Sequence, residues 1–134
     1  MKNLIVVIGG AGFVGTNLIE YFLLKTKKRI LSLDNYSSGS KKNEIKTKRV
    51  TYLKGNSADI KKILHKYKKN IDALFHFGEF SRIFQSFEHF DECYQSNTIG
   101  SMEVFKFCLD NNIRLIYSNL NAIPVIYPAI SSMV

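Results

Sequence analysis

The chain has 134 residues, of which 46% are hydrophobic, and its formal net charge is +8 at pH 7. This is enough apolar material for one core, and no stretch approaches the roughly eighteen uninterrupted apolar residues of a membrane-spanning helix. The start of the chain carries a charge but no long apolar segment separate from the first predicted strand, so a signal peptide is not indicated. We expect one soluble domain in the cytoplasm, with no membrane partner.

The positive charge is concentrated in three lysine-rich segments, residues 25–29, 41–49 and 61–69. A basic chain can bind nucleic acid, but no aromatic stacking pattern interleaves these charges and no DNA-reading helix motif is visible. Solvated faces are the ordinary explanation, and part of the excess is expected to attract an anionic cofactor or a nucleotide sugar. Cys93 and Cys108 lack paired spacing, so neither a zinc site nor a disulfide framework is predicted.

The first predicted element is a strand over residues 3–8, whose continuous apolar run is typical of a parallel strand covered on both faces. It runs into glycines spaced Gly9-x-x-Gly12-x-x-Gly15, and a helix is predicted over residues 13–25, beginning with Phe13 and Val14. Such a turn lets the backbone approach a pyrophosphate at the NH-rich start of the helix. A purely structural glycine turn is the alternative, but the order of strand, turn and helix favours a dinucleotide site.

A second strand is predicted over residues 29–34 and ends at Asp34, about twenty residues past the glycines. An acidic side chain there accepts both hydroxyls of an adenosine ribose and repels a 2′-phosphate, which favours NAD over NADP. Two alternatives stay open. Asp34 could only begin the turn that follows it, and Lys41 and Lys42 could restore NADP binding.

Further strands are predicted over residues 50–54, 72–77 and 113–118, with helices over 59–68 and from 84 or later to 110. Strands alternating with helices are typical of an α/β protein, a doubly wound parallel sheet with helices on both faces.

Four segments in the correct order resemble the extended short-chain dehydrogenase/reductase family: Gly9 to Gly15, Asp34-Asn35-Tyr36-Ser37-Ser38-Gly39, His76-Phe77-Gly78, and Asn97-Thr98-Ile99-Gly100. Within that family the likeness is strongest to the NAD-dependent nucleotide-sugar epimerases and dehydratases, the UDP-glucose 4-epimerase group. It covers residues 3 to about 118. The resemblance implies a Rossmann-like domain over residues 1–118, incomplete, with strand order 3-2-1-4-5, NAD as cofactor and a nucleotide sugar as substrate.

The resemblance also implies cofactor contacts after each of the first four strands. Asn56 stands where the family has an aspartate that binds the adenine amino group. Its amide oxygen can still accept that hydrogen bond, although a turn asparagine without ligand contact is the alternative. Glu79 replaces a small residue and is expected to alter the substrate pocket. The further implied contacts are Asn35, Ser38, Gly39, Ser57, Phe77, Gly78 and Asn97.

Two polar residues fall within otherwise apolar elements. His76 is interpreted as a hydrogen-bonded histidine at a strand end, and no chemistry is assigned to it. Asn97 lies in an apolar helical stretch, where a polar amide needs partners. The resemblance implies that Asn97 helps to hold the active-site backbone, and an ordinary exposed helix asparagine is the alternative.

The catalytic residues of the family are not matched. The family uses a Ser or Thr just after strand five and then a Tyr-x-x-x-Lys pair, whose lysine lowers the tyrosine pKa for proton transfer. Ser118 matches the first serine of the family's run, but Leu120 occupies the catalytic hydroxyl position. Tyr127 comes too early and is followed at the fourth position by Ser131. No catalytic residue is predicted.

Residues 119–134 are apolar and lysine-free, unlike the preceding segments. We expect a divergent tail that is not a separate domain, consistent with a frame-shifted or prematurely terminated chain, and an open edge on strand five that favours self-association. Three hypotheses follow. The chain is the NAD-binding portion of an epimerase or dehydratase, a catalytically silent NAD-binding module, or a nonfunctional fragment.

Overall fold

The computed structural model of the chain describes residues 1–79 and 87–118. Its five parallel strands form one sheet with the order β3-β2-β1-β4-β5. The predicted strand order is confirmed, and each predicted strand agrees with the structure to within one residue at either end. The strands are β1 (Leu4–Ile8), β2 (Arg29–Asp34), β3 (Val50–Lys54), β4 (Ile71–His76) and β5 (Arg114–Tyr117).

The central strand β1 is buried along its whole length and supplies both hydrophobic cores. Leu4, Val6 and Ile8 face one core, whereas Ile5 and Val7 face the other, because successive side chains of a strand point to opposite faces. This burial on both sides explains why the β1 sequence is continuously apolar and not alternating. It also fixes the position of the turn that follows β1, at the middle of the sheet edge.

Helices cover the two faces of the sheet. They lie between β1 and β2, β3 and β4, and β4 and β5, whereas β2 and β3 are joined by a loop with one 3-10 turn, Lys41–Asn43. The predicted helix over residues 13–25 is confirmed as α1, which packs Ile19 into the core that contains Ile5. The α-helices whose bounds lie within the described residues are α1 (Phe13–Lys25), α2 (Ile60–Ile63), α3 (Phe90–Tyr94) and α4 (Ser101–Asp110).

The prediction of a single helix over residues 59–68 is wrong. Only α2 is α-helical there, and short 3-10 turns at Ser57–Asp59 and His65–Tyr67 flank it. The backbone leaves helical geometry at Leu64, whose φ is −97° and ψ is 7°. Lys62 and Lys66 would repel each other one turn apart in a continuous helix, while burial of Ile60 and Leu64 keeps the segment against the sheet.

The long helix predicted to end at residue 110 contains a feature that sequence periodicity does not indicate. A π-helical segment, Gln95–Gly100, separates α3 from α4. Residues 84–86 of that predicted helix and residues 119–134 of the predicted tail lie outside the described residues. Within the described ranges, no helix combines the length and apolar character needed to cross a membrane.

Candidate cofactor-binding site

The turn between β1 and α1 depends on glycine at two positions for different reasons. Gly9 has a φ of +84°, a conformation that L-residues with side chains rarely adopt, and a Cβ there would lie 2.8 Å from the carbonyl oxygen of Phe77. Gly15 has no such backbone requirement, but its Cβ would lie 2.1 Å from the carbonyl oxygen of Gly9. Helix α1 can therefore approach the turn closely only because residue 15 has no side chain.

Gly12 differs from its two neighbours in the motif, because the fold leaves room beside it. It is the N-cap of α1, with no side-chain capping bond, and a Cβ on it would meet only the carbonyl oxygen of Gly9 at 3.4 Å. That distance is ordinary van der Waals contact. The first residues of α1 line the adjoining cleft, and no side chain caps their backbone N–H groups, which is the arrangement that binds anions.

Asp34 links the end of β2 to the glycine turn. Its Oδ2 accepts a hydrogen bond from the backbone N–H of Ala11 at 2.9 Å, and its Oδ1 accepts one from that of Tyr36 at 2.8 Å. Only 8% of the residue is exposed. Each carboxylate oxygen retains a second lone pair for a ligand hydroxyl. The two interpretations of Asp34 are therefore compatible, since the same side chain orders the turn and lines the cleft.

The amides that follow β2 and β3 lie next to each other. Asn35 donates a hydrogen bond from its Nδ2 to the Oδ1 of Asn56 at 3.1 Å, and its own Oδ1 accepts one from the backbone N–H of Ser37 at 2.9 Å. Asn56 is exposed, whereas Ser57 is buried at the start of a 3-10 turn. The Asn56 oxygen thus already has one donor, and its second lone pair is the one that a base amino group would use.

The opposite wall follows β4. The backbone N–H of Phe77 donates to the carbonyl of Ile8 at 2.9 Å, which continues the sheet one residue beyond β4. Ser96, in the π-helical segment, donates a hydrogen bond to the carbonyl oxygen of Gly78 at 3.1 Å. Gly78 must lack a side chain because a Cβ would lie 2.6 Å from the Cγ2 of Ile8. The backbone at Phe77 and Gly78 is therefore held against both the glycine turn and the π-helical segment.

A chain of polar groups leads from His76 to Glu79. The His76 Nδ1 accepts a hydrogen bond from the backbone N–H of Gly78 at 3.4 Å, so its Nε2–H donates to the Oγ of Ser101 at 2.9 Å. Ser101 in turn donates to the Oε1 of Glu79 at 2.7 Å, and the Tyr117 hydroxyl donates to the same oxygen. The interpretation of His76 as a hydrogen-bonded strand-end histidine is confirmed.

Burial shifts the pKa values of both acidic and basic members of this chain of groups. It lowers the pKa of His76 to about 4, because a fully buried imidazolium would lose its hydration. It also raises the pKa of Glu79, although the hydrogen bonds from Tyr117 and Ser101 oppose that shift by favouring the ionised carboxylate. At neutral pH His76 is therefore uncharged.

These walls enclose a cleft of about 810 Å³ at the carboxyl ends of the central strands. It brings together thirteen of the fifteen predicted contacts, from the segments that follow β1, β2, β3 and β4. They are Gly9, Gly12, Phe13, Val14, Gly15, Asp34, Asn35, Ser38, Asn56, Ser57, Phe77, Gly78 and Glu79.

Gly39 and Asn97 do not line the cleft. Gly39 packs against the glycine turn, where a Cβ would lie 3.0 Å from the Ala11 Cβ, so it supports the site from behind. Asn97 is half-buried and donates a hydrogen bond from Nδ2 to the Sγ of Cys93 at 3.5 Å. Its half-burial in the π-helical segment makes the alternative of an exposed helix asparagine the poorer description.

The cleft also contains residues that sequence reasoning missed. Gln95 and Ser96 reach it from the π-helical segment, which motif spacing could not reveal. Among the described residues the lining has no lysine or arginine, and it has five carboxylates: Asp34, Asp59, Glu79, Asp91 and Glu92. The described lining therefore offers an anion backbone N–H groups and hydroxyls, and no lysine or arginine side chain.

The sequence does contain one Tyr-x-x-x-Lys spacing, at Tyr21 and Lys25, but it lies within α1. Tyr21 is 55% exposed, about two helical turns beyond the glycine end of α1 that lines the cleft. This pair is therefore a surface feature of α1. The backbone N–H of Ser118 donates to the carbonyl of His76 at 3.3 Å, whereas Leu120, Tyr127 and Ser131 lie outside the described residues.

Residues 5–121 match the family described as the NAD dependent epimerase/dehydratase family. The chain belongs to this family. The family prediction made from the motifs is thereby confirmed, and the Rossmann-like strand order agrees with it.

Relatives in the epimerase/dehydratase family share the fold and the matched region. The chain is 28% identical over 124 residues to a UDP-glucose 4-epimerase of Yersinia enterocolitica, covering 86% of this chain and 36% of the relative. The structure of the UDP-Glc/GlcNAc 4-epimerase from Campylobacter jejuni is similar at 28% identity with a TM-score of 0.75, covering 87% of this chain and 37% of that one. The Bordetella bronchiseptica enzyme WbmF in complex with NAD+ has the same fold, with 22% identity, a TM-score of 0.79 and 87% and 36% coverage. The chain spans about a third of the length of the curated relatives it matches, 36% and 33% of two of them.

Proposed function

We propose that residues 1–118 form the NAD-binding domain of a nucleotide-sugar epimerase or dehydratase. The single observation that carries the proposal is the turn after β1, where Gly12 leaves the first N–H groups of α1 open to the cleft. A pyrophosphate is the anion that such a turn suits, because closely spaced N–H groups replace its hydration without a lysine or arginine. Family membership supports the same cofactor.

The order of the strands gives the cofactor a direction in the cleft. Asp34 ends β2 on one side of β1, and Glu79 follows β4 on the other. With the pyrophosphate on the turn after β1, the adenosine ribose would bind at Asp34 and the adenine near Asn56. The nicotinamide would then lie toward Phe77, Gly78 and Glu79. When bound, the nicotinamide supplies hydride acceptance from a sugar hydroxyl carbon, and the chain binds and orients it.

The surroundings of Asp34 support NAD over NADP. A 2′-phosphate would meet a carboxylate whose two oxygens are already held in place by backbone N–H groups, so the charge cannot turn away without losing both hydrogen bonds. Lys41 and Lys42 are exposed and do not line the cleft. Their contribution to NADP binding is therefore expected to be a weak, salt-dependent attraction.

The proposed role of these 134 residues by themselves is binding and orientation. In the sequence after β5, no tyrosine is followed at the fourth position by a lysine. The chemistry needs this pair, because the tyrosine accepts the sugar hydroxyl proton and the lysine lowers the tyrosine pKa. Leu120, at the position of the catalytic hydroxyl, cannot exchange a proton. We infer that the purified 134-residue polypeptide binds NAD without epimerising a sugar nucleotide.

Calorimetric titration of this polypeptide with NAD+ and NADP+ tests the proposal, with circular dichroism to establish that the protein is folded. We expect saturable NAD+ binding and at least tenfold weaker NADP+ binding, a difference of about 1.4 kcal/mol. A folded protein that binds neither nucleotide would contradict the NAD-binding function. Incubation with NAD+ and UDP-glucose, analysed for the C4 epimer, tests the second inference, and measurable conversion would overturn it.

A further inference from the structure

Glu79 is a charged residue of the cleft that follows β4, on the other side of β1 from Asp34, and the motif resemblance places a small residue there. It is the third residue after β4, lines the cleft, and is partly buried. Under the proposed function, this is the end at which the nicotinamide would bind. A carboxylate here acts on the part of NAD whose charge changes, because the ring is cationic in NAD+ and neutral in NADH.

Two hydroxyl groups hold the Glu79 carboxylate in place. Ser101 donates to Oε1 at 2.7 Å, and the Tyr117 hydroxyl donates to the same atom from the end of β5. Hydroxyl donors stabilise the ionised form of a carboxylate, which has only acceptor sites. The side chain is thus anchored by α4 and β5, and although burial raises the pKa of Glu79, both hydroxyl donors favour its ionised form.

That charge lacks a neighbouring cation among the described residues of the cleft. His76 is the nearest basic member of the hydrogen-bonded chain of groups, but burial lowers its pKa to about 4 and leaves it neutral. The described lining contains no lysine or arginine. No lysine or arginine of the described lining therefore opposes the field of Glu79, and partial burial weakens its screening by water.

The position of the two oxygens argues against proton transfer by Glu79. Oε1 already accepts two hydroxyl hydrogen bonds, and Oε2 is buried without a hydrogen-bond partner among the described residues. A sugar hydroxyl would have to displace Ser101 or Tyr117 to reach Oε1. Glu79 is therefore suited to act through its charge and not as a base that contacts the substrate.

We propose that Glu79 is a specificity-determining residue that makes the cleft bind NAD+ more tightly than NADH, by placing a negative charge beside the cationic form of the nicotinamide ring. This inference rests on the proposed function, since it requires a dinucleotide in the cleft. An epimerase or dehydratase begins its reaction by removing hydride from the sugar, so retention of the oxidised cofactor keeps the domain in the state that can start that reaction.

The test compares dissociation constants for NAD+, NADH and ADP-ribose in the wild-type protein and in Glu79→Gln. Glutamine keeps an oxygen for the two hydroxyl donors and removes the charge. We expect the preference for NAD+ over NADH to fall by about tenfold, as for a unit charge several ångströms away in a partly buried site. ADP-ribose, which lacks the nicotinamide, should bind both proteins equally.

Asp59→Asn is the matched control, because Asp59 is an exposed carboxylate on the opposite side of the cleft, next to the Asn56 and Ser57 segment. It should alter binding of NAD+ and NADH alike. If Glu79→Gln does not fold, Tyr117→Phe removes one of the hydroxyls that favour the ionised carboxylate and should reduce the preference in the same direction. The inference would be overturned if folded Glu79→Gln kept the wild-type ratio of NADH to NAD+ dissociation constants. It would also be overturned if the variant lost equal affinity for NAD+, NADH and ADP-ribose. Failure of the wild type to bind any of them would instead contradict the proposed function.

Discussion

Gly12→Ala separates the binding role of the glycine turn from its structural role. The added Cβ would lie 3.4 Å from the carbonyl oxygen of Gly9, an ordinary contact, and the φ of −85° is open to alanine. Alanine is a poorer N-cap than glycine by about 0.5–1 kcal/mol. Alanine also lowers the conformational entropy of the unfolded chain relative to glycine, which offsets that loss by about 0.4–1 kcal/mol. We therefore expect the free energy of unfolding to change by less than about 0.5 kcal/mol.

Binding should respond quite differently to the same substitution. If a pyrophosphate lies against the backbone at Gly12, a methyl group on the cleft side prevents that approach, and NAD+ affinity should fall at least tenfold, or about 1.4 kcal/mol. Urea denaturation and calorimetric titration measure the two quantities. A folded Gly12→Ala protein with wild-type NAD+ affinity would refute the assignment of this turn as the phosphate site.

Gly15→Ala is the structural counterpart of that experiment. Its Cβ would lie 2.1 Å from the Gly9 carbonyl oxygen and 2.7 Å from the Gly10 Cα, both backbone atoms that cannot rotate away. We expect a loss of more than about 3 kcal/mol in unfolding free energy, in the range of severe packing strain. Equal stability of the two alanine variants would show that α1 does not approach the turn as described.

Three further predictions concern polar side chains. Asp34→Ala should weaken NAD+ binding by about 1–3 kcal/mol. It should also destabilise the protein by about 2–4 kcal/mol, since the N–H groups of Ala11 and Tyr36 lose a charged acceptor. Unchanged NAD+ affinity would remove Asp34 from the site. His76 is buried in its neutral form, with a pKa of about 4, below the usual 6.5. Because the unfolded chain takes up the proton first, the free energy of unfolding should fall by about 3 kcal/mol as the pH is lowered from 6.5 to 4. That pH dependence, measured by urea denaturation, should disappear in His76→Asn and persist in His65→Asn, and a slope retained in the first variant would contradict the assignment. Arg49→Lys should cost about 1.5–3 kcal/mol in urea denaturation, because one guanidinium donates to the carbonyls of residues 23, 26 and 28, and a loss below 0.5 kcal/mol would argue against this role.

The strands were predictable because each carries its own hydrophobic signal. The run Leu4 to Ile8 needs burial on both faces, and only the centre of a parallel sheet provides it. The same reasoning failed for residues 59–68, where lysine repulsion and the local geometry at Leu64 break a helix that periodicity alone suggests. Local sequence patterns therefore predicted where strands lie better than where short helices end.

Part of the candidate site could also be read from the sequence. Gly9, Gly12 and Gly15 are close together along the chain, and their spacing has a direct steric meaning that the structure shows atom by atom. Asp34 could be placed at a strand end, but its two backbone partners could not, since one of them lies 23 residues away in sequence. That long-range bond is what joins the predicted ribose position to the predicted phosphate position.

The sequence by itself determined the family, the α/β class and the segments that converge on the cleft, because those depend on motif spacing and on which runs must be buried. Only the tertiary structure decided how the cleft is charged. Residues 76, 79, 101 and 117 come from two strand ends, one loop and one helix, and folding alone joins them into a single chain of hydrogen bonds. In the described lining, folding also excludes lysine and arginine from a chain that carries 19 of them. The physical reason is that hydrophobic periodicity sets which face of an element is buried, whereas the electrostatics of a site depend on side chains far apart in sequence.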